Sequence, residues 1–166
     1  MIKQTKSTKQ SEIKREWHLI DVKEKILGRM ASDIALLLMG KSKSNIVRNL
    51  DLGDYVVVTN AKFVRVTGKK ETDKKYYRHS GFPGGFRQQT LQEMRAKKPT
   101  EIIIHAVSGM LPQNRLKKQM LKRLYVFEAE EHNYEDKFKS KNSKVKNIEE
   151  KAASVKDSGE PKEESK

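Results

Sequence analysis

Tyr55-Val56-Val57-Val58-Thr59 is an unbroken apolar and β-branched run that follows the turn-like residues Asp51 to Asp54. A half-buried strand alternates polar and apolar side chains, whereas a run without alternation marks a strand covered on both faces, as in parallel sheets. Upstream, Leu27, Met30, Ala31, Ile34, Leu37 and Leu38 recur at spacings of three and four, which puts them on one helical face. Gly40 with Lys41 and Lys43 closes that helix, because glycine suits a C-terminal cap and cations suit the negative end of the dipole. Before it, Glu16-Trp17-His18-Leu19-Ile20 has strand composition. Strand, helix and buried strand make a βαβ unit, so the fold class is α/β.

Downstream, residues 64–67 read as another strand ended by Gly68, and residues 76–79 as a short edge strand. Gly81-Phe82-Pro83-Gly84-Gly85 cannot hold regular structure and is a loop. Leu91 and Met94 mark a short helix. Pro99 opens the next, with Ile103, Ala106, Val107 and Met110 on its apolar face, although Ile102-Ile103-Ile104 keeps a strand open as the rival reading. Over residues 114–123 a further helix gathers Leu116, Met120, Leu121 and Leu124 on one face and Arg115, Lys118 and Lys122 on the other. Residues 125–127 return as a last short strand. Beyond about Phe138 the chain has no aromatic and almost no branched aliphatic residue, so no core can form there. The expected organisation is a basic N-terminal extension (1–14), an α/β domain (15–138) and a disordered charged tail (139–166).

Lys and Arg number 36 against 22 Asp and Glu in 166 residues, a formal charge of +14 that implies a polyanionic partner. The longest apolar stretch, Ile34 to Met39, is far short of the 18 or so residues that span a bilayer. Residues 1–10 lack the apolar core of a secretory signal, and no Arg precedes Arg15, which argues against a mitochondrial presequence; a cytoplasmic protein is expected. The absence of cysteine removes disulfides, thiolate metal sites and a cysteine nucleophile together. His18, His79, His105 and His132 are scattered without metal-ligand spacing.

The location of the charge narrows the partner. Residues 69–123 carry fourteen cations against Glu71, Asp73, Glu93 and Glu101, interleaved with Tyr76, Tyr77, Phe82 and Phe86. Cations contact phosphates and aromatic rings stack on bases, so this third of the chain is expected to face RNA. The candidate contacts are Lys69, Lys70, Lys74, Lys75, Tyr77, Arg78, His79 and Arg87, then Arg115, Lys117, Lys118, Lys122 and Arg123. Gly84 and Gly85 join them, as glycines that let a phosphate backbone approach closely or that simply supply positive φ in a turn.

Enzyme readings are weak. Gly40-Lys41-Ser42 resembles the end of a phosphate-binding loop, but Ala35 occupies the position of its first glycine and the segment ends a helix instead of opening one. Asp21 and Gly28 lack an accompanying G-x-G-x-x-G. Asp51 and Asp54 flank Gly53 where aspartate is favoured for turn formation, and His79 beside Arg78 has no identifiable nucleophile. No catalysis, cofactor, metal or small-molecule substrate is expected; the alternatives from other classes are a basic RNA-processing nuclease and a free RNA-binding regulator.

Several ordered segments together resemble one family. They are Arg15-Glu16-Trp17 with Ile20-Asp21, Leu27-Gly28-Arg29, Gly53-Asp54-Tyr55-Val56-Val57-Val58, Val66-Thr67-Gly68, Tyr76-Tyr77-Arg78-His79-Ser80-Gly81-Phe82-Pro83-Gly84-Gly85, and Ala106-Val107-Ser108-Gly109-Met110-Leu111-Pro112. Over residues 15–127 the chain resembles bacterial large-subunit ribosomal protein thirteen, the universal L-thirteen group. That resemblance implies a three-layer α/β/α domain on a small central, mostly parallel sheet. It also implies direct binding to large-subunit RNA beside neighbouring ribosomal proteins, a role early in subunit assembly, and no catalysis. It places the RNA contacts in the Tyr-Tyr-Arg-His stretch of residues 76–85 and the Gly-Met-Leu-Pro-x-Asn stretch of residues 109–114. After Tyr125 the chain departs from the family's usual Gly-His-Pro-His, carrying Glu130-Glu131-His132-Asn133 instead.

Overall fold

β1 (Trp17–Asp21) and β2 (Tyr55–Thr59) pair in parallel from Trp17↔Tyr55 to Asp21↔Thr59, and β2 pairs in parallel with β5 (Leu124–Val126) on its other side. The sheet order is therefore β1-β2-β5, with the apolar run of β2 in the centre, where Val56, Val57 and Val58 are fully buried. The computed structural model describes residues 8–138, in a compact unit that runs to His132 and a separate short stretch, 133–138, holding the single turn Glu135–Lys137. The expected 139–166 tail and the first seven residues of the expected N-terminal extension lie outside the described residues.

Between β1 and β2 runs α1 (Leu27–Met39), which buries Met30, Ala31, Ile34, Ala35 and Leu38 at helical spacing. Gly40 ends it in the left-handed region at φ +72, and a Cβ there would lie 3.0 Å from the Leu52 backbone, so glycine is required twice over. The connection from β2 to β5 holds α2 (Lys70–Asp73), the antiparallel hairpin of β3 (Lys75–His79) and β4 (Phe86–Thr90), then α3 (Leu91–Lys97), α4 (Pro99–Met110) and α5 (Lys117–Leu121). Thr90 caps α3 by accepting from the Glu93 N–H, and Pro99 opens α4 at its first turn.

The main core joins α1, α4 and α5 to Val56, Val58, Leu124 and the flanking Ile20 and Val126, which share one face of the sheet. A smaller cluster of Leu91, Met94 and Ile102 lies under the hairpin, against Val66 and Tyr76. The three consecutive isoleucines resolve as helix: Ile103 enters the main core, Ile102 the smaller cluster, and Ile104 stays exposed. On the opposite sheet face Trp17 stacks on Tyr55 at 4.4 Å and on Tyr125 at 5.9 Å.

Four sequence expectations change. Residues 64–67 form no strand of the sheet; only Arg65 bridges to Ile26, because the single turn Ala61–Phe63 and Gly68 leave too short a run and Val64 and Val66 pack into different clusters. Residues 75–79 are a strand of a separate hairpin and not an edge of the central sheet, and their partner β4 was not expected. The 114–123 helix shortens to Lys117–Leu121. Met110, placed on the apolar face of α4, is exposed.

Candidate nucleic-acid interface

The cations separate into those already satisfied within the fold and those left to solvent. Arg123 is buried and forms a two-pronged ion pair with Asp51, while its Nη2 also donates to the Leu38 carbonyl at the end of α1 and its Nε to the Asp54 carbonyl. Expected from the sequence among the RNA contacts, Arg123 is only 5% exposed and gives four of its five N–H donors to protein acceptors, so its charge is held inside the fold. Arg95 is spent similarly, donating Nε and Nη2 to Glu71 and Nη1 to the carbonyls of Lys62 and Val64. Lys62 pairs with Glu128, and Lys98 with Glu101.

Asp51 and Asp54, expected as turn residues, are in fact buried acceptors of an ion-pair network. Asp54 accepts from Lys43 Nζ at 2.5 Å, from the Glu16 N–H at 2.8 Å and faces His18 Nε2 at 3.2 Å. Burial raises the Asp54 pKa, but the hydrogen bonds from Lys43, the Glu16 amide and His18 outweigh it and hold the carboxyl below its ordinary value. Lys43 thus reaches across to this loop, donating also to the carbonyls of Leu52 and Lys14, and does more than complement the α1 dipole. Gly53 between the two aspartates has no room for a side chain: a Cβ would sit 1.7 Å from the Leu38 carbonyl oxygen.

The remaining candidates are exposed, apart from half-buried Gly85 and Lys117, and they fall into two groups on different supports. In the first, Lys69 and Lys70 begin α2, Lys74 and Lys75 lead into β3, and Tyr77, Arg78, His79 and Arg87 lie on the hairpin. Lys74 Nζ lies 5.7 Å above the Tyr76 ring, and Lys70 Nζ donates to Thr67 Oγ1. At the hairpin tip the Gly85 N–H donates to the Phe82 carbonyl at 2.9 Å; Pro83 and Gly84, the latter at φ +70, match the type II pattern of proline then positive φ. A Cβ on Gly85 would meet Ser80 Oγ at 2.0 Å and the Phe82 carbonyl oxygen at 2.9 Å, and Gly84 needs positive φ, so the turn by itself favours glycine at both positions. His79 Nδ1 accepts from the Gly81 N–H at 2.9 Å, which fixes the ring over the same tip.

The second group surrounds α5. Arg115, Lys118 and Lys122 are exposed and Lys117, half-buried, donates Nζ to Gln113. Arg115 and Lys118 line an open depression with Asn114, Leu116, Gln119 and Asn49. Asn49 was not expected; it lies some sixty residues away in sequence, in an irregular stretch with no pattern to announce it. Phe86, named from the sequence among the rings that could stack on bases, stacks on Tyr77 at 5.6 Å across the hairpin. The equal runs on either side of the Pro-Gly-Gly turn were the signal that would have placed it.

The model of the family described as Ribosomal protein L13 matches residues 15–133, past the 127 at which the sequence resemblance was drawn. The large ribosomal subunit protein uL13 of Dehalococcoides mccartyi is 55% identical over 128 residues, covering 77% of this chain and 90% of its own length. The protein of the same name from Lawsonia intracellularis is 49% identical over 130 residues (78% and 90%), and that from Geobacter sulfurreducens 47% over 134 (81% and 94%). With the family model covering well over half of its length and relatives near 50% identity over 77–81% of it, the chain belongs to the ribosomal protein L13 family.

Proposed function

We propose that this protein is a structural constituent of the large ribosomal subunit that binds large-subunit RNA directly, supports early subunit assembly, and acts without catalysis or cofactor. The observation that carries the reading is the sorting of cations. Arg95 and Arg123 are each paired with a carboxylate and bonded to backbone carbonyls, whereas Arg78, Arg87, Arg115, Lys118 and Lys122 have no carboxylate partner among the described residues. Like charges repel within a Debye length, so exposed cations grouped without counter-charge suit a polyanion. Its place is in the cytoplasmic ribosome, against RNA and neighbouring large-subunit proteins.

The test is binding of the purified chain to deproteinised large-subunit RNA across a salt series. If about six to ten phosphates are neutralised, raising salt from about 50 to 200 mM lowers affinity roughly a thousandfold or more. A flat response, or binding no tighter than to unrelated RNA, contradicts it.

A further inference from the structure

The register of the hairpin divides its side chains into two chemically different faces. Pairing of Tyr77 with Gln88, Arg78 with Arg87 and His79 with Phe86 puts Lys75, Tyr77, His79, Phe86 and Gln88 on one face and Tyr76, Arg78, Arg87 and Gln89 on the other. The second face is anchored at its root, where half-buried Tyr76 tilts against His105 at 5.6 Å and packs on the Leu91, Met94 and Ile102 cluster. Its outer end carries Arg78 directly opposite Arg87. Like charges directly opposed weaken a strand pair, and neither guanidinium has a carboxylate within ion-pair distance among the described residues. An anion bound at this end would turn the repulsion into attraction.

The first face presents Tyr77 and Phe86, stacked at an interplanar angle of 21° and still 65% and 59% exposed. Two rings held flat against each other in water give a ready apolar platform beside Lys75 and His79. A ligand that offers a flat π surface on one side and an anion on the other is a strand of nucleic acid. An uninterrupted A-form helix offers only its backbone and shallow groove, because its bases are stacked inside.

We infer that the hairpin enters an irregular RNA element, a bulge or internal loop, with its Tyr77–Phe86 face stacked on an unpaired base and its Arg78–Arg87 end on a backbone phosphate. This rests on the RNA-binding reading above and adds to it a division of labour between the two faces.

The experiment uses the full chain and in vitro transcribed large-subunit RNA, with affinity measured across salt and base accessibility by chemical footprinting. Tyr77→Leu/Phe86→Leu is expected to bind roughly tenfold more weakly, with the salt slope unchanged and protection lost at an unpaired base. Phe86→Tyr, which keeps the platform, is expected to retain that protection. Arg78→Gln/Arg87→Gln is expected to lower the salt slope by about one to two while leaving base protection in place at low salt. Thermal unfolding checks that each variant is folded.

If the leucine variant binds and protects RNA as the parent does but fails to enter subunits that contain the other proteins, the aromatic face docks a protein and the inference is overturned. Equal effects of both double variants on slope and footprint also overturn it, with RNA binding itself intact. Salt-insensitive binding by the parent chain instead removes the underlying RNA reading.

Discussion

Arg123, just before β5, is joined to Asp51, 72 residues earlier, by a buried two-pronged ion pair, and its Nη2 also donates to the Leu38 carbonyl near the end of α1. The link locks the irregular 51–54 stretch between the C-terminus of α1 and the central strand. Removing the Arg123 guanidinium leaves the buried Asp51 carboxylate with only the more distant Arg15, at 3.9 Å, so Arg123→Met is expected to destabilise the fold by about 3–5 kcal/mol in denaturant titration. The double variant Asp51→Leu/Arg123→Met should recover much of that loss. RNA affinity per folded molecule should keep its salt slope, in contrast to an arginine that touches phosphate.

Gly53 and Gly28 make a matched pair. A methyl group at residue 53 would collide with the Leu38 backbone and approach Arg123 Nη2 at 2.8 Å, so Gly53→Ala is expected to cost about 1–3 kcal/mol or more as overpacking. At residue 28, in the first turn of α1, nothing lies within 4 Å. Gly28→Ala should be neutral or stabilise by up to about 1 kcal/mol, through helix propensity. Thermal or chemical unfolding of the two variants in parallel checks the contrast.

Asp54 sets an acid limit on stability. Its folded pKa lies below the ordinary carboxylate value, so its contribution is fully present above the unfolded pKa of about 3.9 and is lost as pH falls through the lower, folded value. Unfolding free energy should therefore show no loss from this group near neutrality and should decline below about pH 4. Asp54→Asn should be less stable at neutral pH and should show a shallower acid decline; an unchanged acid slope would show that Asp54 is not the group responsible.

The exposed cations should behave alike and unlike the buried ones. Arg115→Gln, Lys118→Gln and Lys122→Gln are each expected to reduce the slope of log affinity against log salt by about one, with little change in melting temperature. Arg95→Gln should do the reverse: it loses the tie from α3 to Glu71 and to the Lys62 and Val64 carbonyls, lowering stability while preserving the salt slope.

The regular, buried elements were legible because burial imposes a period. β2 was visible in three consecutive valines and α1 in its spacing of three and four, whereas for α4 the three isoleucines left strand and helix both open. β4 was not, since Phe-Arg-Gln-Gln-Thr lies largely in solvent and no core face selects its alternation. Residues 64–67 have strand composition, but composition does not reveal that they meet only the β1–α1 connection. The role of Arg123 was hidden for a different reason. In sequence it continues the basic stripe of Arg115, Lys118 and Lys122, and only the placement of Asp51 beside it turns an expected RNA contact into a core ion pair. Lys43 and Asp54 were misread for the same reason, each appearing locally as a helix-end cation and a turn residue. Charge counting found the basic third of the chain; it could not tell spent cations from free ones.

The central claim is that this chain is part of the large ribosomal subunit. Sucrose-gradient sedimentation of lysate from cells expressing a tagged copy tests it most directly. A peak coincident with large subunits and whole ribosomes, surviving washing at moderate salt, is the expected result. Tagged protein confined to the top of the gradient, with an untagged copy absent from the cell, would contradict it.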